Sequence, residues 1–235
     1  MICLVQEMDE LYSLCVDSPF GCQILSAAKA YGLDRVFAQF WTDETAAYGK
    51  LDGVMRICGT ISDAEEAKAF LYAVGAEQVV CSAENAQLLN LNIAERGVIL
   101  TKQLAESTAV GAEEVSPRKV YDVLHACDMV GDFEPFYLDL SHRLRHDCAV
   151  CTALYEADSM AAAAVAAFGA ECALITAVAV RPELQRKGLG KAVMRKLEEK
   201  LSGRVYLLRA ENENERFYAS LGYMPCGTWC ACVLE

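Results

Sequence analysis

The sequence has no apolar run approaching the ~18 residues that a membrane span needs, and it is short of positive charge. Lysine and arginine number 21 against 33 aspartates and glutamates, for a formal net charge of −12. Nucleic-acid binding needs a basic surface, so that class is excluded. An acidic field instead favours cationic partners, amines among them. The opening Met-Ile-Cys-Leu-Val-Gln-Glu lacks the cationic segment and long apolar run of a signal peptide, which predicts a cytoplasmic protein. Without a secretory context the 12 cysteines do not read as a disulfide framework. Most sit in apolar, strand-like surroundings, where a free cysteine behaves as a small buried hydrophobe.

What is present is a globular composition. The 235 residues are 54% hydrophobic and 23% charged, enough for one large domain or two ordinary ones. In the second half, Ser116-Pro117 reads as an N-cap followed by proline at the first helical position. The helix it opens runs to about Cys127, with Val120, Val123, Leu124 and Cys127 on one face, and Gly131-Asp132 ends it. A second helix is expected from about Glu134 to His146. Strands follow over 149–156, 161–168 and 172–180, then a turn, a helix over 191–201, a strand over 204–208, a helix and a strand over 224–233.

The first half repeats this order. Helices are expected over 7–16 and 20–31, and strands over 35–42, 46–50 and 53–58. Ser62-Asp63 with Glu65 and Glu66 then caps a helix to about Val74. A strand over 78–81, a helix over 84–90 and a strand over 98–101 complete it. "Val-Val-Cys-Ser-Ala-Glu-Asn" ending at Asn85 falls where "Leu-Leu-Arg-Ala-Glu-Asn" ends at Asn212. The reading is two tandem α/β domains, 1–107 and 108–235. A linker from about Lys102 to Val115, with Gly111 and the pair Glu113-Glu114, joins them.

The segment richest in chemistry joins the third strand of the second half to its next helix: Gln185-Arg186-Lys187-Gly188-Leu189-Gly190, after Val-Ala-Val-Arg181-Pro182. A basic, glycine-rich turn entering a helix is suited to phosphate. Glycine admits close approach and unusual dihedrals, and successive amides with the helix N-terminus attract anions. A Walker A loop is excluded, because Ala192 follows Gly190-Lys191 and no glycine stands at 185. A dinucleotide fingerprint is excluded too, because Val193 stands where its third glycine would be. Arg181, Arg186, Lys187, Lys191, Arg195 and Lys196 make this segment basic within an acidic chain.

The pattern Gln/Arg-x-x-Gly-x-Gly/Ala resembles the pyrophosphate loop of the GNAT acetyltransferase superfamily. Downstream, Tyr218-x-x-Leu221-Gly222-Tyr223 looks like the Tyr-x-x-Leu-Gly-Phe signature of the same enzymes. The resemblance implies an α/β fold with a mixed central sheet flanked by helices, and an N-acetyltransferase that uses acetyl-coenzyme A. It implies that backbone groups of Val178, Ala179 and Val180 pair with the pantetheine arm and that Gln185, Arg186, Lys187, Gly188, Leu189, Gly190 and Lys191 hold the pyrophosphate. Asn214 would reach the pantetheine, and Tyr218 would donate a proton to the departing thiolate.

The acceptor expected from this likeness is a small-molecule or peptide amine. The general base stays open. The family's strand glutamate would fall near Leu174, where no carboxylate stands, which leaves Glu171, His142 and His146 as candidates. The first half has Cys58-Gly59-Thr60-Ile61-Ser62-Asp63-Ala64-Glu65-Glu66 where the loop would be. One glycine gives no cradle and three carboxylates would repel a pyrophosphate, so a degenerate copy without cofactor is expected. A coenzyme-A-binding pseudoenzyme or interaction module is the alternative. The spacing His142-x3-His146-x-Cys148-x2-Cys151 is metal-like, but Cys148 and Cys151 point to opposite faces of a strand, so no metal is expected.

Overall fold

A computed structural model describes residues 1–106 and 115–234. A short strand β1 (Cys3–Leu4) precedes α1 (Met8–Leu14), α2 (Pro19–Tyr31), β2 (Ala38–Thr42), β3 (Ala46–Leu51), β4 (Val54–Gly59), α3 (Ala64–Ala73), β5 (Gln78–Ser82), α4 (Ala83–Leu88) and β6 (Asn92–Leu104). The second half runs α5 (Pro117–His125), α6 (Phe133–Arg145), β7 (Ala149–Glu156), β8 (Ser159–Phe168), β9 (Cys172–Val180), α7 (Leu189–Glu198), β10 (Gly203–Ala210), α8 (Glu215–Ala219) and β11 (Met224–Val233). From α1 to β6 the elements follow the same order as from α5 to β11. The expected division at 107/108, Gly111 and the pair Glu113-Glu114 lie outside the described residues. No helix among the described residues is long and apolar enough to cross a membrane.

Local chemistry explains the helix starts. The Ser18 hydroxyl accepts from the Gly21 amide with Pro19 in the first turn, Asp63 accepts from the Glu66 amide, and Ser82 accepts from the Asn85 amide. Strand β8 is built largely of alanine, a weak strand former, but it is covered on both faces. Ala162, Ala164 and Ala166 lie under Val193, Met194 and Leu197 of α7, whereas Ala163 and Val165 lie under Val120, Val123 and Leu124 of α5. Small side chains let helices sit close on both sides.

All eleven strands described form one sheet, in the order β1-β2-β3-β4-β5-β11-β6-β10-β9-β8-β7. Only β4/β5 and β9/β10 are parallel; every other pair is antiparallel. The halves exchange their last strands. β6 pairs with β10, and β11 pairs with β5, while β6 and β11 pair with each other at the centre. Helices α1, α2, α5 and α6 cover one face, and α3, α4, α7 and α8 cover the other.

Two elements differ from expectation. The sequence suggests a short strand over 98–101, yet β6 has 13 residues. Its polar ends, including Asn92, Glu95, Lys102 and Gln103, are strand because β10 and β11 hydrogen-bond both edges. The expected linker therefore begins after Leu104, not at Lys102. Strand β1 gives no periodic signal because it is two residues long.

Gly97 is the close contact of this centre. The Trp229 indole of β11 reaches across β6 and donates to the Arg209 carbonyl of β10 at 3.1 Å. A Cβ on Gly97 would meet that carbonyl oxygen at 2.0 Å and the indole nitrogen at 2.5 Å. Gly97→Ala is therefore expected to lower stability by about 1–3 kcal/mol through overpacking. Urea unfolding measures this, and an unchanged midpoint would contradict the central strand exchange.

Candidate active site

The site begins where two parallel strands part. β9 and β10 pair from Cys172↔Arg204 to Ile175↔Leu207 and no further. Thr176 is the extra residue of a bulge against β8, where the register passes from Val165↔Ala177 to Ala166↔Ile175. The Thr176 hydroxyl donates to the Val165 carbonyl at 3.3 Å. Beyond the bulge, Val178 and Val180 pack on the α7 side, and Ala177 and Ala179 on the α5 side. The result is a gap in the sheet with backbone along its β9 edge.

At the mouth of this gap lies the basic turn. A single 3₁₀ turn (Pro182–Leu184) leads to Arg186 at φ 63° and Gly188 at φ 84°, and Gly188 caps α7. The backbone amides from Arg186 to Lys191 donate to no acceptor among the described residues. A Cβ on Gly188 would meet nothing within 4 Å, so the turn faces open space. Alternating left-handed residues ahead of a helix N-terminus gather amides into an anion-binding concavity. Arg186, Lys187 and Lys191 are exposed around it. This donor set fits a pyrophosphate. A Cβ on Gly190 would crowd Phe217 at 3.3 Å, so that glycine lets α8 pack against the turn.

The other residues singled out in the sequence divide clearly. The Gln185 amide group donates to the Val180 carbonyl at 3.2 Å, and the Cys127 thiol meets the same oxygen at 3.3 Å. Gln185 therefore braces the strand end, and the Val180 carbonyl is already engaged. Arg181 donates to the Met160 carbonyl and Lys196 to the Ala153 carbonyl, so neither charge serves the turn. Asn214 caps α8 in the left-handed region at φ 51°, and its carbonyl accepts the Tyr218 amide.

Tyr218 packs edge-on against Phe217 and Tyr223, among the side chains that include Val178, Val180 and Leu189. Its hydroxyl has no hydrogen-bond partner among the described residues. Burial raises its pKa above the ordinary phenol value; nearby Arg209 partly offsets this, and Glu213 adds to the rise. Its proton is thus retained well above neutral pH. Arg209 is itself buried, with Nη1 held by the Ala210 and Glu213 carbonyls and Nε unpartnered.

The candidate bases are not brought to this gap. Glu171 is exposed just before β9, at the end where β9 and β10 are still paired. At ~3.3 Å per residue it lies roughly 30 Å along the strand from Val180. His142 is stacked on Tyr31, and its Nε2 lies 2.7 Å from the Ala30 carbonyl, which ties α6 to the end of α2. His146 is exposed at the C-terminal end of α6. Among the described residues, no group of three or more His, Cys, Asp or Glu could hold a metal ion.

The opposite face of the gap holds a cavity of about 230 Å³ that the sequence did not reveal. Its walls combine Thr176 and Ala177 of the bulge, Asp139 and Arg143 of α6, and Gln23 and Arg56 from the first half. The available signal was Arg56 itself, a charge in the apolar strand Val-Met-Arg-Ile-Cys, on the same face as the buried Cys58.

Comparison with known proteins bears on the same segment. Residues 118–223 match the sequence model of the acetyltransferase (GNAT) family. The match lies wholly within the second half. Solved structures of the same fold include a GCN5-related N-acetyltransferase from Kribbella flavida, at 15% identity and TM-score 0.57, covering 89% of this chain and 95% of that one. An acetyltransferase of the GNAT family from Colwellia psychrerythraea gives 10% identity and TM-score 0.59 over 100% of both chains. A tandem GNAT protein from the clavulanic acid biosynthesis pathway gives 12% identity and TM-score 0.56, covering 100% of this chain and 98% of that one. No curated protein matches the sequence.

The first half has a corresponding pair, β4 and β5, parallel from Val54↔Gln78 to Arg56↔Val80. Four residues join β4 to α3, whereas eight join β9 to α7. Buried Asn85 closes the space beyond, donating to the Gly59 carbonyl at 2.9 Å and accepting from the Ile61 amide at 3.4 Å. Asp63 occupies the helix start, and Glu66 accepts from the Ile2 amide. Asn212, the sequence counterpart of Asn85, is exposed and leaves the second gap open. Asn85→Ala would strand the Gly59 and Ile61 backbone groups and is expected to cost about 1–3 kcal/mol. A urea midpoint equal to that of the native chain would show that this side chain does not hold the first gap shut.

Proposed function

We propose that the chain is an N-acetyltransferase that moves the acetyl group of acetyl-coenzyme A to an amine, with the reaction confined to the gap between β9 and β10. The observation that carries the proposal is the run of amides from Arg186 to Lys191 without acceptors among the described residues, set in a left-handed turn at the N-terminus of α7. Acetyl-coenzyme A, when bound, supplies a thioester carbon, so that a C–N bond to the amine forms as C–S breaks, nitrogen loses a proton and sulfur gains one.

The chain's part is to hold, orient and move protons. The amides and the Arg186, Lys187 and Lys191 side chains neutralise a pyrophosphate. The unpaired edge of β9 from Thr176 to Ala179 offers backbone groups to an extended amide-bearing arm. The Tyr218 hydroxyl, kept protonated by burial and without a hydrogen-bond partner among the described residues, is the proton donor to the leaving sulfur. Proton removal from the amine is assigned to neither Glu171 nor His142, since both stand away from the gap.

Two variants separate holding from chemistry. Gly188→Asp places a carboxylate in the open space before the amides, at a left-handed position that costs an L-residue roughly 1–2 kcal/mol. It is expected to abolish acetyl-coenzyme A binding in calorimetry. Tyr218→Phe is expected to keep affinity within a few-fold while turnover falls by ~10²-fold. Normal binding by Gly188→Asp would overturn the cradle, and unchanged turnover by Tyr218→Phe would reduce that ring to packing. Tight binding with no thiol release from any amine would favour a coenzyme-A-binding module.

A further inference from the structure

Resting on the transferase reading, we infer that the acceptor amine carries an anionic group, a carboxylate or a phosphate, which seats against Arg56 in the cavity beside the β9 bulge. Arg56 projects from β4 toward α2 and α6. Its Nε donates to Gln23 Oε1 at 3.0 Å, and its two terminal nitrogens make no hydrogen bond or ion pair among the described residues. The carboxylate in the same walls is already committed. Asp139 Oδ1 accepts from Arg143 Nε at 2.8 Å and from the Tyr31 hydroxyl at 2.5 Å. Arg143 Nη1 donates to the Ser26 hydroxyl at 2.9 Å.

Two guanidinium groups therefore share one carboxylate, and one positive charge is left over inside a protein of net charge −12. Burial and the nearby Arg143 push the Arg56 pKa down to about 10, with Asp139 partly offsetting them, so it is still charged at neutral pH. Arg56 is half-buried with no ion pair among the described residues, which leaves its fork free to meet an anion. The free fork of an arginine matches a carboxylate or phosphate bidentately. The cavity volume, about 230 Å³, is below the roughly 300–1,000 Å³ of drug-sized sites and suits a small molecule.

Position joins this charge to the chemistry. Thr176 and Ala177 form both the cavity wall and the first step of the gap. A ligand anchored by its anion at Arg56 can point its amine toward the gap from the face opposite the phosphate turn. The overall negative field draws in the ammonium end. Arg56 and Gln23 also give the first half a part in the site, that of reading the acceptor.

The test uses the full chain and measures binding as well as turnover. The probes are the common amino acids and phosphoethanolamine, each set against its neutral counterpart, the amino-acid amides and ethanolamine. At least one anionic probe is expected to bind in calorimetry without acetyl-coenzyme A, and to outdo its neutral counterpart by roughly tenfold or more in affinity and in kcat/KM. Arg56→Gln should erase that preference while acetyl-coenzyme A affinity stays unchanged.

Arg56→Met should be at least as stable as the native chain, because it removes a half-buried charge with no ion pair among the described residues, and Arg56→Lys should keep part of the preference. Neutral amines binding as well as anionic ones, a preference that survives Arg56→Gln, or no binding by any anionic probe would each overturn the inference. A chain that prefers anionic amines but never binds acetyl-coenzyme A would keep the anion seat and sink the transferase reading.

Discussion

The pairing of β6 with β11 at the middle of the sheet holds both halves in one hydrogen-bonded frame. Each half contains a parallel pair of strands that parts after a few residues and leaves backbone groups facing the gap. β10 is held along its far edge by β6 of the other half, and β5 along its far edge by β11. Gly97 makes the arrangement tight enough for Trp229 to bond across β6 to Arg209. The gap between β9 and β10 is therefore flanked by paired strands on both sides, β8 beyond β9 and β6 beyond β10.

Two similar gaps have opposite fates for reasons visible in single residues. In the first, a four-residue connection, a capping Asp63 and the Asn85 amide fill the space beyond β4. In the second, an eight-residue connection carries left-handed Arg186 and Gly188 and a row of amides without acceptors among the described residues. The closed half still supplies Arg56 and Gln23 to the cavity behind the open gap.

Much of the second half was legible because its signals are local. Proline after Ser116, the glycines of the turn and the three apolar strands act through neighbours in sequence, and β7 and β9 appear within the expected bounds. The length of β6 was not legible. Its polar ends become strand only through partners more than a hundred residues away. Side-chain engagement was hidden in the same way. Nothing local says that Gln185 braces Val180, that His142 is stacked on Tyr31, or that Arg56 faces α6. Glu171 looked available because strand order, unlike strand direction, does not say at which end the pair parts.

The central claim is that one gap is open for acetyl-coenzyme A and the other is shut. Isothermal titration of the full chain with acetyl-coenzyme A tests it most directly. The account predicts saturable binding with a stoichiometry near one per chain. A stoichiometry near two, or no binding at all, would contradict it.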